Sequence, residues 1–169
     1  DAIAGWVNSE APRALQHALT SPFADVRTCA AITLAEKDDP AASTETCMRA
    51  LTAGLRREFE GPQPSEATRR ANQLARRASV AIVRLGRAAL VHLTQVARSQ
   101  TDPARLYAAG LLGEVGGTVA IPALLDLVES SDEDLAEVAI RQLGELEVAD
   151  AGPAIVRRMI DSATKHHER

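Results

Sequence analysis

Apolar and polar positions alternate along this chain with a helical period. Thr44, Met48, Leu51, Leu55 and Phe59 follow one another at steps of four, three, four and four, which places them on one face of an α-helix. Ala67, Ala71, Leu74, Ala78, Ala81, Ile82 and Leu85 form a second such face. Proline, glycine and cap residues divide the pattern into segments. Pro12 opens a helix over 12–20, and Thr20-Ser21-Pro22 precedes one over 22–36. Asp38-Asp39-Pro40 starts a helix that runs to about 60, where Gly61-Pro62-Gln63-Pro64 stops it. Ser65 caps a helix over 65–85, and Gly86 ends it in the way glycine ends helices generally. Asp102 as cap and Pro103 in the first turn divide 88–99 from 103–114. Ser130-Ser131-Asp132, with Ser131 and Asp134 at capping-box spacing, divides 120–129 from 132–147. A last helix over 153–166 completes nine, and no strand pattern interrupts them.

The predicted helices are self-similar. Ile121-Pro122-Ala123-Leu124-Leu125 returns 31 residues later as Gly152-Pro153-Ala154-Ile155-Val156. On the second helix of each pair, Ala108-Ala109-Gly110-Leu111-Leu112-Gly113-Glu114 matches both Ala30-Ala31-Ile32-Thr33-Leu34-Ala35-Glu36 and Ala139-Ile140-Arg141-Gln142-Leu143-Gly144-Glu145. Gly113 and Gly144 again stand 31 apart. One period met at two separate landmarks is the signature of stacked repeats.

In these residues the chain resembles the HEAT-repeat family, in the short bacterial form first noted in phycobilisome lyases. The likeness rests on Asp25-Val26-Arg27 followed by Ala30-Ala31 and Leu34, on Asp102 and Arg105 followed by Ala108-Ala109 and Leu112-Gly113, and on the Pro-containing first helices. It implies an all-α fold: a right-handed α-solenoid, or superhelix, of about four to four and a half antiparallel helix pairs. The expected units are 11–36, a long pair 40–86 with about 20 extra residues, 87–117, 118–149 and a half unit 150–166. The resemblance further implies that second helices line the concave side, and that Arg27 and Arg105 first serve a ladder between repeats and only second a ligand. Physics points the same way, because a 30-residue hairpin buries its apolar face only against neighbours.

Composition narrows the core. The chain has 169 residues, 46% hydrophobic but only 2% aromatic, so a single domain with closely packed small side chains is expected and an all-β domain is excluded. No apolar run approaches the ~20 residues of a membrane span, so a soluble protein is expected. Asp1 in place of Met reads as the start of a processed chain or of a piece of a longer one.

Charge is polarised. The net −4 hides nine Arg against three Glu between Arg49 and Arg87, and ten acids against one Arg between Glu114 and Asp150. Such a molecule attracts partners of opposite charge at each end, or its own copies. Solvated helix faces explain the same charges without function.

Chemistry is scarce. His17, His92, His166 and His167 are the only histidines. Di-iron hydroxylases with HEAT-like repeats carry His-Glu pairs on successive repeats, and here only His167-Glu168 forms one. No zinc, calcium or phosphate-loop motif occurs, nor a spacing that suggests an activated nucleophile. No catalytic residue, metal site or cofactor is therefore expected. Nucleic-acid binding is disfavoured by the pI of about 5.6 and by the lack of stacking aromatics. Cys29 and Cys47 lie equally far from the turn near Asp38 and should face each other, either as small buried side chains or, in an exported protein, as a disulfide. The cytoplasm is the expected compartment unless that bond forms.

The functional expectation is a non-enzymatic scaffold that docks a protein or peptide, acidic in character, on a curved face. The alternative is a nucleic acid or anionic ligand bound by the Arg-rich helix 65–85. Arg70, Arg77 and Arg84 recur every seven residues and project within about 40° of each other, with Arg69, Gln73 and Arg76 further round the same arc. This stripe is the candidate partner-binding site. Its competing role is to neutralise the acidic segment 114–150. Val80 and Val83 lie on the arc too, which suggests that something covers part of it.

Overall fold

The computed structural model describes residues 10–55, 65–146 and 152. The chain is all-helical there, with no strand among the described residues. The α-helices are α1 (Ala11–Ala18), α2 (Ala24–Glu36), α3 (Glu45–Ala53), α4 (Glu66–Leu85), α5 (Leu90–Arg98), α6 (Arg105–Gly116), α7 (Ile121–Val128) and α8 (Glu133–Glu145). Single 3-10 turns, η1 (Pro40–Ser43), η2 (Gly86–Ala89) and η3 (Gly117–Ala120), precede α3, α5 and α7. The predicted helix 153–166, and the part of the 40–60 helix beyond Leu55 with Phe59, lie outside the described residues.

Local chemistry sets the boundaries. The long helix predicted from Pro40 is instead a turn followed by a helix, because two caps act in succession. Asp39 accepts the Ala41 N–H at 2.9 Å. Thr44, with extended backbone, then accepts the Cys47 N–H at 3.4 Å and opens α3. Thr44 is thus a cap rather than the first member of an apolar stripe. Ser65 caps α4 as predicted, through the Thr68 N–H at 3.1 Å. The cap of α8 is Asp132, which accepts from Leu135 N at 3.2 Å, and not Ser131. Pro103 precedes α6 rather than lying in its first turn, while Asp102 accepts the Ala104 N–H in the approach.

Gly86 and Gly117 carry the 31-residue period into backbone geometry. Their φ and ψ are 57° and −133°, and 51° and −134°. Each sits at the end of a helix, starts a 3-10 turn and leads into the next helix, whose core residues Leu93 and Leu124 are both fully buried. Positive φ at these joints favours glycine, which has no Cβ to clash. The same joints divide Glu66–Arg98 and Arg105–Val128. These two stretches are long and apolar enough to cross a membrane by length and composition alone, a test that core helices also pass.

The chain divides into two compact units, residues 1–92 and 93–169. In the first, α2 packs against α1, α3 and α4. Ala31, Ile32, Leu34, Cys47, Met48, Leu51, Ala75, Ala78 and Ile82 are fully buried. The buried Thr28 hydroxyl donates to Ala50 O at 3.1 Å, tying α2 to α3. In the second unit α8 packs against α6 and α7, around Leu112, Leu124, Val128, Ala139 and Leu143. Ala108, expected inside, has no exposed surface.

Two expectations about orientation are corrected. The inner face of α4 comprises Thr68, Ala75, Ala78, Ala81 and Ile82. Ala67 is exposed, and Leu74 and Leu85 are only half-buried. Alanines lie on several sides of this helix, so their spacing alone left its azimuth ambiguous. Cys29 and Cys47 do not face each other. Cys29 is exposed and Cys47 buried, and both are free thiols. Val26, Cys29 and Glu36 share the outward stripe of α2, while the Cys47 Sγ points inward, 3.7 Å from Ala31 O. Burial, with Asp39 nearby, pushes the Cys47 thiol up to about 12.

Candidate interaction surface on helix α4

The predicted site residues Arg69, Arg70, Gln73, Arg76, Arg77 and Arg84 are all exposed on α4. A regular helix turns about 100° per residue, so they spread over one polar arc. Val80 lies in its middle, with 69% of its surface exposed. Arg76 and Arg84 flank it one turn to either side. Val83, also noted in the sequence, is half-buried.

The guanidinium groups differ in their engagements. Arg70 pairs with Glu66 one turn back on its own helix. Arg77 Nη2 meets Glu36 at 3.0 Å. Arg84 holds Asp38 through two parallel bonds, Nε to Oδ1 at 2.9 Å and Nη2 to Oδ2 at 2.7 Å. Arg76 makes no ion pair among the described residues. The acids that neutralise Arg77 and Arg84 thus come from the end of α2 and not from the segment 114–150.

The end of α2 is shaped to present these acids. Asp38 N–H donates to Ala35 O at 3.2 Å and Asp39 N–H to Leu34 O at 3.0 Å, the bond pattern of a Schellman cap. Asp38 occupies the left-handed position of that cap, with φ 54°, where glycine is usual and Asp is tolerated. The bond from Arg84 holds the Asp38 carboxyl below the ordinary aspartate range and raises Arg84 in turn.

Between α4 and this end of α2 lies an open cleft of about 210 Å³, lined by Glu36, Arg76, Arg77, Val80, Ala81 and Arg84. Small-molecule sites usually have about 300–1,000 Å³, so this cleft suits a single side chain and its immediate neighbours. Its floor is apolar, and three guanidinium groups against one carboxylate line it.

The second unit has its own ion pairs. Arg105 Nε meets Asp132 Oδ2 at 2.7 Å, linking the start of α6 to the loop before α8. Together with the Leu135 N–H, this bond lowers the Asp132 pKa, the guanidinium being the larger cause. Arg98 pairs with Asp126. An open cleft of about 370 Å³ runs along these loops, past Ser99, Gln100, Ser130 and Ser131, with both of its arginines occupied by aspartates. Arg27 instead donates to Ser21 O at 2.6 Å and closes the turn before its own helix. Among the described residues, no group of three or more His, Cys, Asp or Glu is placed to hold a metal ion.

Comparison of the chain with protein-family models, with curated proteins and with solved structures finds no match.

Proposed function

We propose that this chain is a non-enzymatic docking module, built as a short right-handed HEAT-like α-solenoid, whose α4 face receives a segment of a partner protein. Three features support the solenoid reading. The joints at Gly86 and Gly117 share one conformation, second helices pack on second helices in both units as α2 on α4 and α6 on α8, and Arg105 reaches an aspartate 27 residues onward. Stacked repeats with a shared core produce these features together.

The observation that carries the docking role is Val80. Val80 is one of five large apolar side chains exposed among the described residues, and it is set apart by lying in the middle of an arginine arc and lining a cleft with Ala81. Aliphatic centres with a polar rim, arginine prominent among them, are how docking surfaces are built. A random peptide library displayed on phage tests this. Peptides selected on the wild-type protein should lose binding to a Val80→Asp, Arg76→Glu double variant that keeps its helicity and melting temperature. Selected peptides that bind both proteins equally would refute a docking role for this face.

The rival is a nucleic acid or other anionic ligand held by the Arg-rich helix 65–85. Pairing of Arg70, Arg77 and Arg84 with carboxylates argues against it, since each pair puts a negative charge beside the phosphate path. Binding to duplex DNA with a steep fall in affinity as salt rises would favour the rival.

A further inference from the structure

We infer that the cleft between α4 and the end of α2 takes an acidic peptide segment built around one aliphatic side chain, the aliphatic group lying on Val80 and Ala81 and flanking carboxylates meeting the guanidinium groups of Arg76, Arg77 and Arg84. This rests on the docking role proposed above and specifies the chemistry of the partner.

The charges choose the anion. Guanidinium carries five N–H donors. Arg84 uses Nε and Nη2 on Asp38, and Arg77 uses Nη2 on Glu36, so Nη1 of both remains for a ligand. The two ion pairs also hold these long side chains in place, which lowers the ordering cost of binding. Arg76 supplies a further fork. Arginine suits both carboxylate and phosphate, but Glu36 lines the cleft and Asp38 stands behind Arg84. A dianionic phosphate meets more repulsion from these acids than a single carboxylate does. A carboxylate fits a surface where carboxylates already accept from two of the three arginines.

The volume and the floor choose the anchor. About 210 Å³ admits one Leu- or Ile-sized group, and Val80 beside the nearly buried Ala81 gives it apolar contact. Apolar burial gives affinity, while the rim charges set specificity and encounter rate.

The test uses four fluorescein-labelled peptides of one length, with the centres Glu-Leu-Glu, Gln-Leu-Gln, Glu-Ala-Glu and phosphoserine-Leu-phosphoserine in a Gly-Ser background, titrated by anisotropy at low salt. Glu-Leu-Glu should bind best. Its neutral counterpart should bind about tenfold more weakly and the alanine peptide about fivefold more weakly. Arg76→Gln should weaken Glu-Leu-Glu severalfold and Val80→Asp should remove its binding, both with unchanged circular dichroism and melting. Equal affinity for the neutral peptide, tightest binding of the phosphopeptide, or indifference to Val80→Asp would each overturn the inference. Library-selected peptides of another composition that still need Val80 would preserve the docking role while this inference falls. If neither those nor Glu-Leu-Glu needs Val80, both fall.

Discussion

Arg84 grips Asp38 with two parallel hydrogen bonds across 46 residues of sequence. The aspartate sits where a helix ends in left-handed backbone. Asp38 therefore does two things at once: it completes the cap of α2 and it fixes an arginine of the candidate docking face. Asp38→Ala should lower the melting temperature, because alanine keeps the unfavourable backbone and loses the ion pair. Asp38→Gly should not, because glycine relieves the backbone as the pair is lost. Thermal melts of the two variants check this. Since pairing lowers the Asp38 pKa, the pair contributes fully above the ordinary aspartate pKa and fades as pH falls through the lowered value. The gap between wild type and Asp38→Ala should therefore narrow in acid.

Asp132 combines a cap and an ion pair in the second unit. Asp132→Asn retains a capping oxygen and loses the charge, whereas Asp132→Ala loses both. Alanine should be the more destabilising by about 1 kcal/mol, the usual value of an N-cap, in urea titrations at neutral pH. The Asp132 pKa is also lowered, so its charge contribution is present above the ordinary aspartate value and is lost as pH falls through the folded one. Wild type and Asp132→Asn should converge in acid.

Gly86 and Gly117 offer a matched pair. At neither would a Cβ meet a packed neighbour within 4 Å, so alanine at either costs backbone strain alone. Both substitutions should destabilise by about 1–3 kcal/mol, and by similar amounts, in chemical denaturation. A large inequality would mean that the two joints differ in more than sequence.

Gly54 behaves differently. Its backbone is ordinary for any residue, but a Cβ there would lie 2.4 Å from Thr28 Cγ2. Thr28 is β-branched and bonded to Ala50 O, so it has little room to move. Gly54→Ala should cost about 1–3 kcal/mol through overpacking, and the additional substitution Thr28→Ser should recover part of it.

The thiols should separate cleanly. In the native protein Ellman's reagent should titrate one group, Cys29. In denaturant without reductant it should titrate two, because Cys47 is buried and its thiol is pushed up to about 12. Fewer than two groups in denaturant, and none where the two are bonded to each other, would contradict the free state of both cysteines.

Helix positions were largely legible in the sequence, because Pro, Gly and cap residues act within a few positions of themselves. Ser65 and Gly86 bound α4 as their chemistry requires. The shared joint was only half legible: Gly86 and Gly117 were read as a helix end and a turn, and their equal backbone state shows only in the structure. Azimuth was not legible. Which side of α4 faces inward depends on α2 and α3, and a helix with alanines on several sides suits more than one answer. Cys29 failed likewise, since its distance from the turn says nothing about the side of α2 it occupies. The arginine arc was visible as a seven-residue spacing, yet its partners Glu36 and Asp38 were not. They lie far away in sequence, and Asp38 stands at a position where the usual residue has no side chain.

The equal geometry of Gly86 and Gly117 bears on how such a chain lengthens. Residues 86–116 begin in one backbone state and hand over to residue 117 in the same state, so a tandem duplication of this segment would place its new junction at a conformation the polypeptide already adopts twice. Insertions of other lengths would have to create a junction of their own. Duplication in whole multiples of 31 residues would thus preserve this backbone state at each new junction.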